Sequence, residues 1–162
     1  MMMKLNRVNK ITFFMILIFF ITIPILYLVS DTRIEILREI YFDSEIFLPK
    51  GTEYLGDINK GPSFHGDGTA LRLVRIREED EKNVISSVEK VMKKIDRNSD
   101  EFSNMESSYN ERAKENYEIE NFDFYSKDCI YFYNALNQWG GNFRAVVYNP
   151  KNNKFLLIVM DS

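Results

Sequence analysis

Phe64-His65-Gly66-Asp67-Gly68 is the stretch in which residue types and spacing come closest to chemistry. His65 is the only histidine of the 162-residue chain. With Asp67 two positions on, it has the means to move a proton or to orient a polar group. Gly66 and Gly68 open backbone conformations closed to other residues and let a ligand come close to the main chain. The same composition also makes a tight turn, with Asp67 bonding nearby backbone amides. No further residue completes a catalytic set, so His65, Gly66, Asp67 and Gly68 read as binding residues and not as a catalytic centre. Trp139, in the loop Asn137-Gln138-Trp139-Gly140-Gly141-Asn142, joins them as an exposed-aromatic candidate.

Other chemistries find little support. One histidine and one distant cysteine leave zinc without its usual ligand set. Asp57, Asn59 and Asp67 do not have calcium-loop spacing, so no metal and no cofactor is expected. Cys129 lies in the apolar run CIYFY and reads as a buried small hydrophobe; a lone cysteine makes no internal disulfide. Glu78 to Glu81 would be either a cation site or the acidic first turn of a helix, and the second reading accounts for them without a ligand.

These candidates sit downstream of an uncharged run, Ile11 to Val29, which as a helix would reach about 28 Å, close to a bilayer's hydrocarbon thickness. Lys4, Arg7 and Lys10 precede it and Asp31, Glu35 and Glu39 follow. That asymmetry predicts a cytoplasmic tail over 1–10, a transmembrane helix over 11–29 and an extracytoplasmic domain over 31–162. A cleavable signal would have a shorter apolar core and a small residue where Leu28 stands, so the anchor is read as uncleaved. All 24 acidic residues follow the run, which leaves the exported part more acidic than the net charge of −3 and without the basic face that nucleic acid requires.

Hydropathy patterning then supplies the elements that must position the loop. A capping box at Thr32–Glu35 predicts a short helix to about Phe42. Glu53 to Ile58 and Ala70 to Ile76 read as strands flanking the loop. Val84, Ile85, Val88, Val91, Met92 and Ile95 recur with helical period. Residues 96–121, with eight acidic side chains against three basic ones, read as an acidic mobile insertion carrying a surface helix through Met105, Tyr109, Ala113 and Tyr117. Cys129 to Tyr133, Phe143 to Tyr148 and Phe155 to Met160 are three further strands, the last two joined by a polar hairpin loop from Asn149 to Asn153. The sum is an α+β domain with helices on one face of a largely antiparallel sheet.

The chain also resembles small exported or membrane-anchored proteins of low-GC Gram-positive bacteria. These carry a stretch like Asp-Thr-His-Gly-Gly-Phe-His-Gly-Asp-Gly before a strand and close on an aromatic strand, a hairpin and Asp-Ser or Asp-Thr. The match lies at Phe64 to Gly68, at Asn142-Phe143 with Tyr148-Asn149, and at Asp161-Ser162, and covers the chain from about Leu48 onward. Asn59 to Ser63 depart from the pattern, so the first histidine of the stretch is absent. The resemblance implies fold and location, not an activity. The expected function is that of a single-pass, membrane-anchored extracytoplasmic protein, a non-catalytic binding domain for a protein or small ligand. The alternatives are a cell-surface hydrolase using His65 and Asp67, or an immunity or inhibitor protein whose acidic segment meets a basic partner.

Overall fold

The computed structural model describes residue 18 and residues 45–59, 68–137 and 141–161. The chain divides into two units, Met1–Glu39 and Ile40–Ser162, and every described residue except Ile18 belongs to the second. Among the described residues no helix is long and apolar enough to cross a membrane. The run expected to do so lies, Ile18 apart, outside them, as does the helix expected over 32–42.

Six strands form one antiparallel sheet: β1 (Glu53–Ile58), β2 (Gly68–Arg75), β3 (Lys93–Ile95), β4 (Ile130–Ala135), β5 (Phe143–Asn149) and β6 (Lys154–Asp161). Their order is β1-β2-β6-β5-β4-β3. Among the described residues of the second unit, the helices are α1 (Glu81–Val91), α2 (Asp100–Arg112) and α3 (Tyr117–Glu120), with a 3-10 turn at Ala113–Glu115 between the last two. The α+β expectation is met.

Side chains alternate across a strand, so each central strand feeds two faces. Leu71 and Leu73, Leu156 and Ile158, Ala145 and Val147, and Tyr131 and Tyr133 point to one face. There they meet Phe102, Met105 and Tyr109 of α2 and Ile119 of α3, so these two helices occupy the same side of the sheet. Phe102 stands edge-on to Tyr131 with centroids 5.0 Å apart, and Tyr109 stacks on Phe124 at 4.4 Å. The opposite face buries Val74, Phe132, Val146, Tyr148 and Leu157. Tyr148 interacts with Glu81 at the start of α1, and burial first, then that carboxylate, raises its phenol's pKa well above the ordinary value.

Two expectations need correction. Residues 96–121 do not stand apart from the core: they form α2 and α3, and Phe102, Met105, Tyr109, Ala113 and Ile119 are all buried. Phe102, Met105 and Tyr109 fall at i, i+3 and i+7, one face of a helix, and most of the apolar volume is aromatic rather than aliphatic. Tyr117, by contrast, is 76% exposed. The helix expected to run on through Ile95 ends at Val91, and Met92 turns to extended backbone. Lys93 to Ile95 then pair with Tyr133 to Tyr131 as an edge strand whose lysines shield the open edge.

Caps explain the helix boundaries. The Ser99 hydroxyl accepts from the Phe102 amide at 3.2 Å and starts α2. Asn116 starts α3 by accepting from the Glu118 amide at 3.0 Å, and its own amide donates to the Asp57 carbonyl at 3.2 Å, which ties α3 to β1. Gly56 makes room for this contact, since a Cβ there would stand 2.9 Å from Asn116 Oδ1. The register of β1 on β2 shifts between Tyr54 and Gly56, a local bulge.

Candidate functional site

The glycine-rich loop joins β1 to β2, and its two described banks are Asn59 and Gly68. His65, Gly66 and Asp67 lie outside the described residues; Gly68 lies within them, at φ 143°. That φ favours glycine, because L side chains at such angles strain the backbone. Gly68 pairs with Asp161 of β6, and the Thr69 hydroxyl reaches Met160 Sδ at 2.9 Å.

The loop from 136 to 142 joins β4 to β5. The Leu136 amide donates to the Asn142 carbonyl at 2.8 Å and closes it, and Trp139 lies outside the described residues. Ala135 pairs with Phe143, and Phe143 pairs with Met160. The start of β2, the end of β6, the start of β5 and the end of β4 therefore share one end of the sheet. With strands about 4.8 Å apart, the two loops leave it roughly 10–14 Å from one another, with the end of β6 between them. Gly68, Phe143 and Asp161, three positions of the resemblance far apart in sequence, meet on three successive strands. Tyr148 and Asn149 fall at the other end.

Sequence reasoning missed Arg112 altogether. This last residue of α2 sends one guanidinium nitrogen to the Asn59 carbonyl at 2.8 Å, and the same nitrogen bonds the Thr69 carbonyl. Its other donors fork onto Glu115, Nε to Oε1 and Nη2 to Oε2, each at 2.8 Å. One side chain thus holds both banks of the loop while a carboxylate fixes its plane. The pair leaves Glu115 with its carboxyl below the ordinary range, chiefly through the hydrogen bond from Arg112. Its pair with Glu115 is local, but nothing local marks Arg112 as a clamp, since the two carbonyls it holds are 43 and 53 residues away.

The remaining sequence candidates resolve into packing. Cys129 is buried, its thiol donates to the Asp123 carbonyl at 3.3 Å, and burial pushes its pKa up to about 11, the reverse of an activated nucleophile. Glu79 and Asp80 both pair with Arg77 at 2.7 Å. Among the described residues no group of three or more His, Cys, Asp or Glu is arranged to hold a metal ion.

A second feature escaped the sequence. An open groove of about 240 Å³ lies on the helical layer, lined by Tyr109, Lys114, Glu120, Asp123, Phe124 and Tyr125 among others. The Tyr109 hydroxyl is turned inward, 2.9 Å from the Ile119 carbonyl and 3.1 Å from that of Phe122. Tyr125 is 48% exposed and its hydroxyl lies 3.0 Å from Asn110 Oδ1. Compared with known proteins, the chain matches no family model, no curated protein and no solved structure.

Proposed function

We propose that the protein is a single-pass membrane protein with its N-terminus in the cytoplasm, and that its extracytoplasmic domain is a non-catalytic binding module. Its ligand-facing end is the end of the sheet from which the β1–β2 and β4–β5 loops emerge, and His65, Gly66, Asp67, Gly68 and Trp139 are the residues that meet the ligand, a protein or a small molecule. The observation that carries the reading is the shared origin of the two loops at one end of the sheet, with only β6 between their strands and Arg112 clamping the banks of one of them. A loop that needed no defined shape would have little use for a guanidinium that holds both its banks while a carboxylate fixes its plane. The uncharged run after three basic residues supports the topology, and the likeness to small exported proteins supports the location.

The test is a photo-crosslinking amino acid placed at Trp139 and, as control, at Glu89 on α1 in cells expressing the full chain. A species crosslinked from position 139 alone, and lost with His65→Ala and Asp67→Asn, is the expected result. Identical patterns from both positions would overturn the binding assignment. Protease added to cells whose outer barrier is removed should digest the domain, and carbonate washing should leave the anchor fragment in the membrane; a soluble, protected domain would overturn the topology.

A further inference from the structure

The groove on the helical layer combines three properties that have no structural need of each other. It is walled by aromatic rings, with Phe124 stacked on Tyr109 and edge-on to a half-exposed Tyr125 at 5.0 Å. Two carboxylates, Glu120 and Asp123, line it, and among the described residues neither takes part in an ion pair. It also lies in the most one-signed part of the chain: from Asp100 to Tyr125 there are eight acidic side chains and two basic ones, and Arg112 is already held by Glu115. A cavity of about 240 Å³ is several times the ~30 Å³ share of one water, so a long side chain fits with its hydration.

We propose that this groove is a docking site for a basic segment of a partner protein, with one arginine side chain entering beside Tyr125 and meeting the carboxylates of Glu120 and Asp123. A guanidinium stacks on a phenol ring and forks onto a carboxylate in the same plane, which an ammonium does less well. The surrounding negative field steers a basic segment towards the groove. Burial first, then Tyr125 and the two carboxylates, raise the Tyr109 phenol to about 12. Lys114 lines the groove as well and opposes entry of a cation; it is exposed, and the site works against it. The groove and the loop end are made of different residues, so this assignment and the one above can fail separately.

The experiment uses the full chain in detergent micelles, titrated with a capped Gly-Arg-Gly peptide and followed by NMR, with capped Gly-Lys-Gly and Gly-Glu-Gly alongside. Saturable shifts at Tyr125 and Asp123 are expected with the arginine peptide, weaker ones with lysine and none with glutamate. Tyr125→Ala should weaken binding about threefold to fivefold, from loss of the stacked ring. Glu120→Gln with Asp123→Asn should weaken it about tenfold. Lys114→Gln should tighten it. Glu78→Gln with Glu89→Gln, an equal change of charge elsewhere, should leave it unaltered. If the remote pair weakens binding as much as the groove pair, or if Lys114→Gln loosens it, the groove is not the site. Absence of saturable shifts with the arginine peptide would overturn the proposal outright.

Discussion

Replacing Arg112 by alanine isolates the clamp on the β1–β2 loop. The side chain is only 15% exposed, and three groups depend on it: the carbonyls of Asn59 and Thr69 and the carboxylate of Glu115. They do not weigh equally. Asn59 is exposed, so its carbonyl turns to water at small cost. Glu115 is half exposed, and an ion pair of that kind contributes at most about 1 kcal/mol. Thr69 is 3% exposed, so its carbonyl is left without a donor in a dry place, which costs about 1–3 kcal/mol. The sum points to a loss of roughly 2–3 kcal/mol, most of it from one backbone oxygen. Arg112→Lys keeps a charged donor but loses the fork onto Glu115, and should recover only part of the loss. Glu115→Gln should cost about 1 kcal/mol or less, because it leaves both carbonyl contacts in place. Urea unfolding of the full chain, followed by circular dichroism, gives the stabilities. Hydrogen exchange over residues 60–69 should show faster opening in Arg112→Ala at native conditions, beyond what the global loss explains. A change below about 0.5 kcal/mol, the level of an ordinary surface substitution, would refute the clamp.

Met105 is wholly buried between α2 and the sheet, so Met105→Ala should destabilise by about 2–5 kcal/mol, read from the same urea transitions; a surface excursion would show almost nothing. Alkaline pH should weaken the domain through its buried thiol and phenols. Burial raises Cys129 to about 11 and Tyr109 and Tyr131 to about 12, so the folded state keeps protons that the unfolded chain releases from about pH 9 upward. Stability is full below that pH and falls as pH climbs through 11 and 12; a flat profile of the urea midpoint between pH 8 and 11 would contradict the burial of these groups.

How far the sequence reaches depends on whether the deciding interactions are local. β2, β5 and β6 are apolar runs bounded by polar turns, and each was legible within a residue or two because two-sided burial demands continuous apolar side chains. β3 was not, since Lys93 and Lys94 satisfy the edge of a sheet and look like the basic end of a helix. The core role of α2 was obscured because its apolar face is spelled Phe102, Met105, Tyr109 among eight acids, and counting aliphatic residues passes over it. For the candidate site, the composition of the β1–β2 loop stood out, and the convergence of its strands with those of the β4–β5 loop did not. That convergence rests on β6 lying between β2 and β5, a pairing across about 90 residues that no window reveals. Arg112 and the groove are products of the same long-range packing.

The position of β6 also dictates when the fold can exist. It is the last of the described strands to leave the ribosome, and it lies in the middle of the sheet, bonded along its length to β2 on one side and β5 on the other. Before it arrives, the earlier strands can make two separate parts, β1 with β2 and β3 with β4 and β5, each with one bare inner edge. Such edges invite pairing with the wrong chain. The sheet of a nascent chain therefore stays open in the middle until β6 joins its parts, and a truncation after Asn149 leaves two fragments of a sheet rather than a smaller domain.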